Sequence, residues 1–241
     1  MKQVLITDYT TRTPLQLMGF MAGICWNGDA DEKSNIKRAL SCIKSNHGRV
    51  LEFPEVYLVL EGWSAKCLRE LYTHIGGSPT RLQASTRYID YSEAFENLVP
   101  KTVENNDEAS AIWAQAMKET SQHMKELKGL KVAKEDYTNL LPLSYSSKMV
   151  WKVNLRTLVN FMNKRLCNRA YHEIRELATQ LKDKLSKYSA EWSQIVEMLF
   201  VPQCEVYKHV NEKLVFCPEV KGCKRHRNIK DLKMMLYEPE E

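Results

Sequence analysis

The stretch THIGGSPTRLQASTRYIDY, Thr73 to Tyr91, concentrates groups that hold anions: adjacent glycines, a histidine, two arginines and closely spaced hydroxyls. Ser85 and Arg87 lie two apart beside Gln83, with Arg81 near them in sequence. A phosphate is held by a cation together with several converging donors. Arginine supplies a planar fork, and a serine hydroxyl and released backbone N–H groups complete the cage. Gly76 and Gly77 let the backbone approach a ligand closely, and His74 offers a donor or a ring face. The same composition also suits a polar surface loop with Arg87 in a salt bridge.

A second constellation runs from Asn154 to Ala178, NLRTLVNFMNKRLCNRAYHEIRELA. Arg156, Arg165, Arg169 and Arg175 interrupt apolar positions, together with Asn154, Asn160, Asn163 and Asn168. Asn163 and Arg165 are too close to share a helix face, so they bracket a helix end. Arg165 and Arg169 are four apart and can address one ligand. A buried arginine must be paired, because an uncompensated charge is costly to desolvate. Structural pairs with Glu173, Glu176 or Asp183 are the other reading.

These groups need elements to position them. Pro14–Ile24 and Ser34–Ser45 read as helices, the second with Ile36, Leu40 and Ile43 on one face. Asn46–Phe53 reads as a turn, and Glu55–Gly62 as a strand stopped by glycine. Ser64 caps a short helix that delivers the chain to the first loop. After a polar linker, Asn106 or Asp107 caps a long helix to about Lys128, with Ile112, Ala116, Met117, Met124 and Leu127 inward and Gly129 at its end. A helix is expected from Lys148 to Leu166, apolar almost all round and therefore the most buried element. Two more follow: Arg169–Lys187, striped with Ile174, Leu177, Leu181 and Leu185, and Ala190–Phe200, ending before Pro202. The expectation is an α+β fold: one helix-rich domain over residues 1–241 with a small, mostly antiparallel sheet, residues 202–241 forming a tail.

With 241 residues and a formal charge of +5, the chain permits anionic partners without selecting one. It has no long apolar run, so a membrane span is not expected. Seven cysteines, spread along a chain without a secretory leader, read as reduced thiols in a cytoplasmic protein. The tail holds Cys204, His209, Cys217, Cys223 and His226, but its spacings lack the tight pairs of a zinc knuckle, so no metal is assigned. The basic run Lys221–Lys230 is ordinary surface charge, and nucleic acid is not the expected partner.

Taken in order, the motifs resemble the flavin-dependent thymidylate synthases, also called thymidylate synthase complementing proteins. That family carries Arg-His-Arg, then Ser, then a polar stretch ending Ser-x-Arg-Tyr. It continues with a Leu-Pro turn, an N-x-R-x-L-x-x-F helix and an A-x-x-E-I-R helix. This chain shows His74, Ser78 and QASTRY ending at Tyr88, then LLPLSYSSKMVW, VNLRTLVNF, NKR and AYHEIRELA. NHGRVLEF keeps the family's upstream spacing of His47 and Glu52, and VYLVLEG lies where the family has a strand. The resemblance covers about residues 46 to 180. Thr73 and Ile75 stand where the family has arginines, two residues are inserted between Ser78 and Gln83, and Phe53 replaces a histidine. Tyr171 occupies a glutamine position, and Lys148 replaces the arginine of the Leu-Pro turn, keeping the charge without the fork.

The resemblance implies methylation of dUMP to dTMP, with carbon from methylenetetrahydrofolate and reducing equivalents from NADPH through FAD. No enzyme thiol attacks the ring. It implies Gln83, Ser85, Arg87, Lys148 and Arg175 for dUMP, with Arg175 catalytic. It implies His74, Ser78, Asn163, Arg165, Arg169, Arg49 and Glu52 for FAD, and a homotetramer with sites shared between subunits. The alternatives are a same-scaffold FAD and pyrimidine-nucleotide enzyme with another one-carbon transfer or base, and a basic helical nucleic-acid-binding protein.

Overall fold

The computed structural model describes residues 1–28, 30–76, 79–206 and 223. Ser78, His209, Cys217, His226 and the basic run apart from Cys223 lie outside the described residues. The chain begins with β1 (Gln3–Ile6), followed by helices α1 (Pro14–Ile24) and α2 (Glu32–Lys44) and a 3-10 turn at Gly48–Glu52. Strand β2 (Glu55–Ser64) leads into α3 (Ala65–Leu71), where the Ser64 hydroxyl accepts from Cys67 N–H as the N-cap. Strand β3 (Thr80–Gln83) precedes α4 (Lys101–Glu104), α5 (Asp107–Gly129) and α6 (Lys134–Tyr137). Strand β4 (Ser146–Asn154) runs straight into α7 (Leu155–Arg165), and α8 (His172–Ser186) and α9 (Ala190–Leu199) follow. The antiparallel sheet has the order β1-β2-β4-β3, so the fold is α+β with the longest strands in the middle.

Contacts cluster into two compact units. Unit 1 comprises Met1–Leu5, Leu58–Thr73 and Thr80–Trp151. Its core holds Leu58, Leu60, Trp63, Leu68, Met149 and Trp151, and the Trp63 indole N–H donates to Gln3 O at 2.9 Å. Unit 2 comprises Ile6–Tyr57, His74–Pro79 and residues from Lys152 on, and is built on α1, α2, α7, α8 and α9. Gly19 sets the closeness of α1 to α2, because an added Cβ would lie 1.8 Å from Asn35 O. Helix α1 has no cap of its own. Glu191 of α9 supplies one, its carboxylate accepting from Leu15 N–H at 2.7 Å and Gln16 N–H at 3.2 Å.

Three sequence expectations are corrected. Lys148–Leu166 is not one helix: Ser147, Met149, Trp151 and Val153 are buried in alternation, which makes a strand, and Asn154 then caps α7 through Thr157 N–H. The run looked apolar all round because a period-2 segment and a period-3.6 segment were read as one. In α5, Ile112 is 66% exposed, and Ala116 is exposed too. The inward stripe is centred one residue along, on Trp113, Met117, Met124 and Leu127. In α2 the buried face is Asn35, Ala39, Cys42 and Ile43, while Ile36 and Leu40 stay half-exposed; the close contact at Gly19 selects the small face. The stripe expected on α8 is as read, with Ile174, Leu177, Leu181 and Leu185 all fully buried.

Candidate functional site

In unit 1 the first polar loop is not irregular throughout. Thr80–Gln83 forms an edge strand, its alternate residues exposed, beside β4. Gln83 donates to Ser147 Oγ at 3.3 Å, and Ala84 N–H donates to Lys148 O at 2.9 Å. A turn follows in which Tyr88 and Ile89 N–H groups donate to Ser85 O and Arg87 N–H donates to Ser85 Oγ. The turn is tied to α6: Lys134 Nζ donates to Tyr88 O at 3.1 Å and Thr138 Oγ1 to Thr86 O at 3.3 Å. Arg87 Nε lies 2.8 Å from Glu135 Oε2, the salt bridge the sequence allowed as the plainer reading. Lys148 Nζ lies 3.2 Å from Glu61 Oε1 on the neighbouring strand. Beside them is a cavity of about 480 Å³ lined by Glu61, Tyr91, Phe95, Glu96, Ser147 and Lys148 among others. Burial pushes the Tyr91 phenol up. Arg81, in the inserted segment, places its guanidinium 5.1 Å from the Tyr72 ring centroid.

Unit 2 holds the other set. His74 is buried, 3% exposed, with its ring edge-on to Phe161 at 5.1 Å. Its Nε2 accepts from Arg165 Nε at 3.2 Å, so that lone pair is engaged by a cation. Arg165 is the last residue of α7, which explains how it reaches back to a segment remote in sequence. Thr157 Oγ1 donates to Gly76 O and anchors the same segment. Asn163 uses its amide differently from a ligand-facing group: Nδ2 donates to Leu199 O at 3.0 Å and Val201 O at 2.7 Å, fastening the end of α9. Arg169 is exposed after the end of α7. Arg175 donates from Nη1 to Asn168 O at 2.6 Å, which ties its guanidinium to the segment before α8. Glu52 accepts from Arg156 and Arg49, and those two guanidiniums hold its carboxyl below the usual range, Arg156 contributing most.

The structure therefore brings His74 to Arg165, Arg49 to Glu52, and Gln83 and Lys148 to the β3–β4 pairing. Four of the five residues expected for dUMP belong to unit 1, and Arg175 belongs to unit 2. Sequence reasoning missed Glu61, Glu135 and Glu96. Glu61 had a signal, a charged residue on the outward register of an apolar strand, where a cross-strand partner of opposite charge is favoured. Glu135 had none, because its contact with Arg87 spans 48 residues.

The α+β architecture is shared with two solved enzymes. One is a UMP/dUMP methylase, PolB, from Streptomyces cacaoi bound with 5-Br dUMP, with a TM-score of 0.65, 18% identity, and coverage of 80% of this chain and 93% of that one. The other is Thymidylate Synthase X (ThyX) from Helicobacter pylori with FAD and dUMP, with a TM-score of 0.61, 20% identity, and coverage of 82% and 100%. The sequence also matches the family model of the thymidylate synthase complementing protein over residues 5–189, and the chain belongs to that family of enzymes. It is 32% identical to the flavin-dependent thymidylate synthase of Pyrococcus abyssi, over 91% of this chain and 90% of the relative. It is 31% identical to that of Pyrococcus furiosus, over 92% and 93%. These likenesses favour neither the same-scaffold alternative nor the nucleic-acid-binding one. No helix among the described residues is long and apolar enough to cross a membrane.

Proposed function

We propose that this chain is a flavin-dependent thymidylate synthase. It methylates dUMP to dTMP with carbon from methylenetetrahydrofolate and reducing equivalents from NADPH through FAD, as a cytoplasmic homotetramer whose sites draw on more than one subunit. One observation carries the reading: the family match over residues 5–189 contains every candidate residue of both sets.

The donor set of unit 2 suits a flavin dinucleotide. Arg165 and Arg169 offer guanidiniums to a diphosphate, and the buried His74–Phe161 contact fixes the segment that carries Gly76. Among the described residues, an added Cβ at Gly76 would meet Thr157 Oγ1 alone, at 4.0 Å, which leaves room for a ligand to approach the backbone there. In this reading His74, Ser78, Arg165 and Arg169 hold FAD, with Arg49 and Glu52 added from a neighbouring subunit, while Asn163, its amide spent on Leu199 O and Val201 O, steadies the end of α7 that carries Arg165. The bound flavin supplies the redox step, and the protein positions and polarises. Ser85, Arg87 and Lys148 hold the nucleotide, Lys148 at the phosphate, and Gln83 orients the base. Arg175 stabilises negative charge developing on the pyrimidine carbonyls as the 5-carbon becomes electron-rich, so no thiolate is needed.

The test is product formation. Purified protein with FAD, NADPH, dUMP and methylenetetrahydrofolate labelled in its one-carbon unit yields labelled dTMP, and omission of NADPH abolishes it. Label in any other nucleotide, or in none, contradicts the reading.

A further inference from the structure

The cavity of unit 1 poses an electrostatic problem for a phosphate. Among its described lining residues Lys148 is the single cationic side chain, with the Met1 amino terminus as the other positive group, whereas Glu61 and Glu96 are both carboxylates. Lys148 is already engaged by Glu61 at 3.2 Å. Its backbone is fixed by the Ala84 N–H on its carbonyl, so only the side chain can answer a ligand. The Lys148 side chain is 69% exposed and that of Glu61 34%, which makes the pair solvent-screened and exchangeable.

The position of Glu61 is built into the strand. The alternation of buried and half-buried residues along β2 slips at Gly62, so Glu61 and Gly62 are both half-buried and Trp63 goes to the core. Gly62 has a φ of +70°, and an added Cβ would lie 2.6 Å from Met1 O, so glycine is required there. Glu61 itself follows the regular alternation of β2, which leaves it on the half-buried face toward Lys148, and backbone packing fixes the slip that comes after it.

We propose that Glu61 tunes affinity, weakening the enzyme's hold on the nucleotide phosphate by competing for Lys148. This rests on the reading that the chain binds dUMP. The ammonium must leave Glu61 before it can serve a phosphate, and the released carboxylate, with Glu96, repels the dianion. Substrate and product carry the same phosphate, so Glu61 loosens both, and it favours release of dTMP.

Equilibrium titrations of the FAD-loaded protein with dUMP, dTMP and deoxyuridine test this. Glu61→Gln, nearly isosteric, tightens dUMP and dTMP about three- to fivefold and leaves deoxyuridine unchanged, the size expected for an exposed pair. The gain is smaller in a Lys148→Ala background. Unchanged or weaker dUMP binding in Glu61→Gln overturns the proposal, as does equal tightening of deoxyuridine or an undiminished gain without Lys148. If the unaltered protein binds no dUMP at all, the proposed function fails as well, and the two failures are told apart.

Discussion

The two units hold their candidate ligand groups in opposite ways. In unit 2, His74 is buried against Phe161 and receives a hydrogen bond from Arg165, and Arg175 rests on a backbone carbonyl. Arg165 and Arg175 thus each have a hydrogen-bond acceptor that a ligand does not compete for as an anion, the His74 ring and the Asn168 carbonyl. In unit 1, Arg87 and Lys148 each face a carboxylate, Glu135 and Glu61, at the surface. A ligand there must exchange one anion for another. Unit 2 also has an exchangeable cluster, Glu52 with Arg49 and Arg156. The contrast separates a histidine fixed by burial from surface charges whose carboxylate partners a ligand can replace. Preorganised charge does more for a transition state, and replaceable charge sets affinity.

The largest effect expected from this contrast is at Arg175. Arg175→Ala lowers single-turnover conversion of dUMP about 100-fold or more, with dUMP affinity changed far less. Unchanged single-turnover kinetics would remove Arg175 from catalysis. His74→Ala strikes the buried pair, and FAD affinity falls about tenfold, the loss of one charge-assisted hydrogen bond. Fluorescence titration with FAD measures it; an unaltered titration would mean that the buried pair is structural only. If Arg87 holds the phosphate as proposed, Arg87→Ala removes that contact but also frees Glu135, so dUMP affinity falls only about fivefold. Calorimetry on Arg87→Ala and Arg87→Lys shows whether the fork or the charge matters.

The smallest effect is on stability, in unit 1. Asp90 accepts from Ser92 N–H and Tyr137 OH and pairs with Lys128, and these hold its carboxyl well below the usual range, Ser92 foremost. A depressed carboxylate contributes stability above its unfolded value of about 3.9, and that contribution is lost as pH falls below it. Asp90→Asn therefore flattens the acid dependence of stability below about pH 4, as urea denaturation at a series of pH values would show. An acid profile identical to that of the unaltered protein would mean that the cluster adds nothing.

Much of this was legible in the sequence where one period rules a whole segment. The α8 stripe, the Ser64 and Asn106 caps and the strand at Glu55 were all readable. The strand–helix junction at Asn154 was not, because a single apolar run changes period there without glycine or proline to mark it. The edge strand at Thr80–Gln83 was hidden by polar residues that an exposed edge tolerates. The Arg165–His74 contact joins residues 91 apart, and Arg87–Glu135 joins residues 48 apart, so neither pairing has a local signature. The order of motifs placed the chain in its family, and the structure supplied partners for Arg87, Lys148 and Arg165.

The central claim is that FAD and dUMP act together on this chain. The visible absorption spectrum of the purified protein, taken with FAD and then with added dUMP, tests it most directly. The account predicts a bound-flavin band near ~450 nm that shifts when dUMP is added. A protein that stays colourless after excess FAD is removed, or a flavin band indifferent to dUMP, would contradict it.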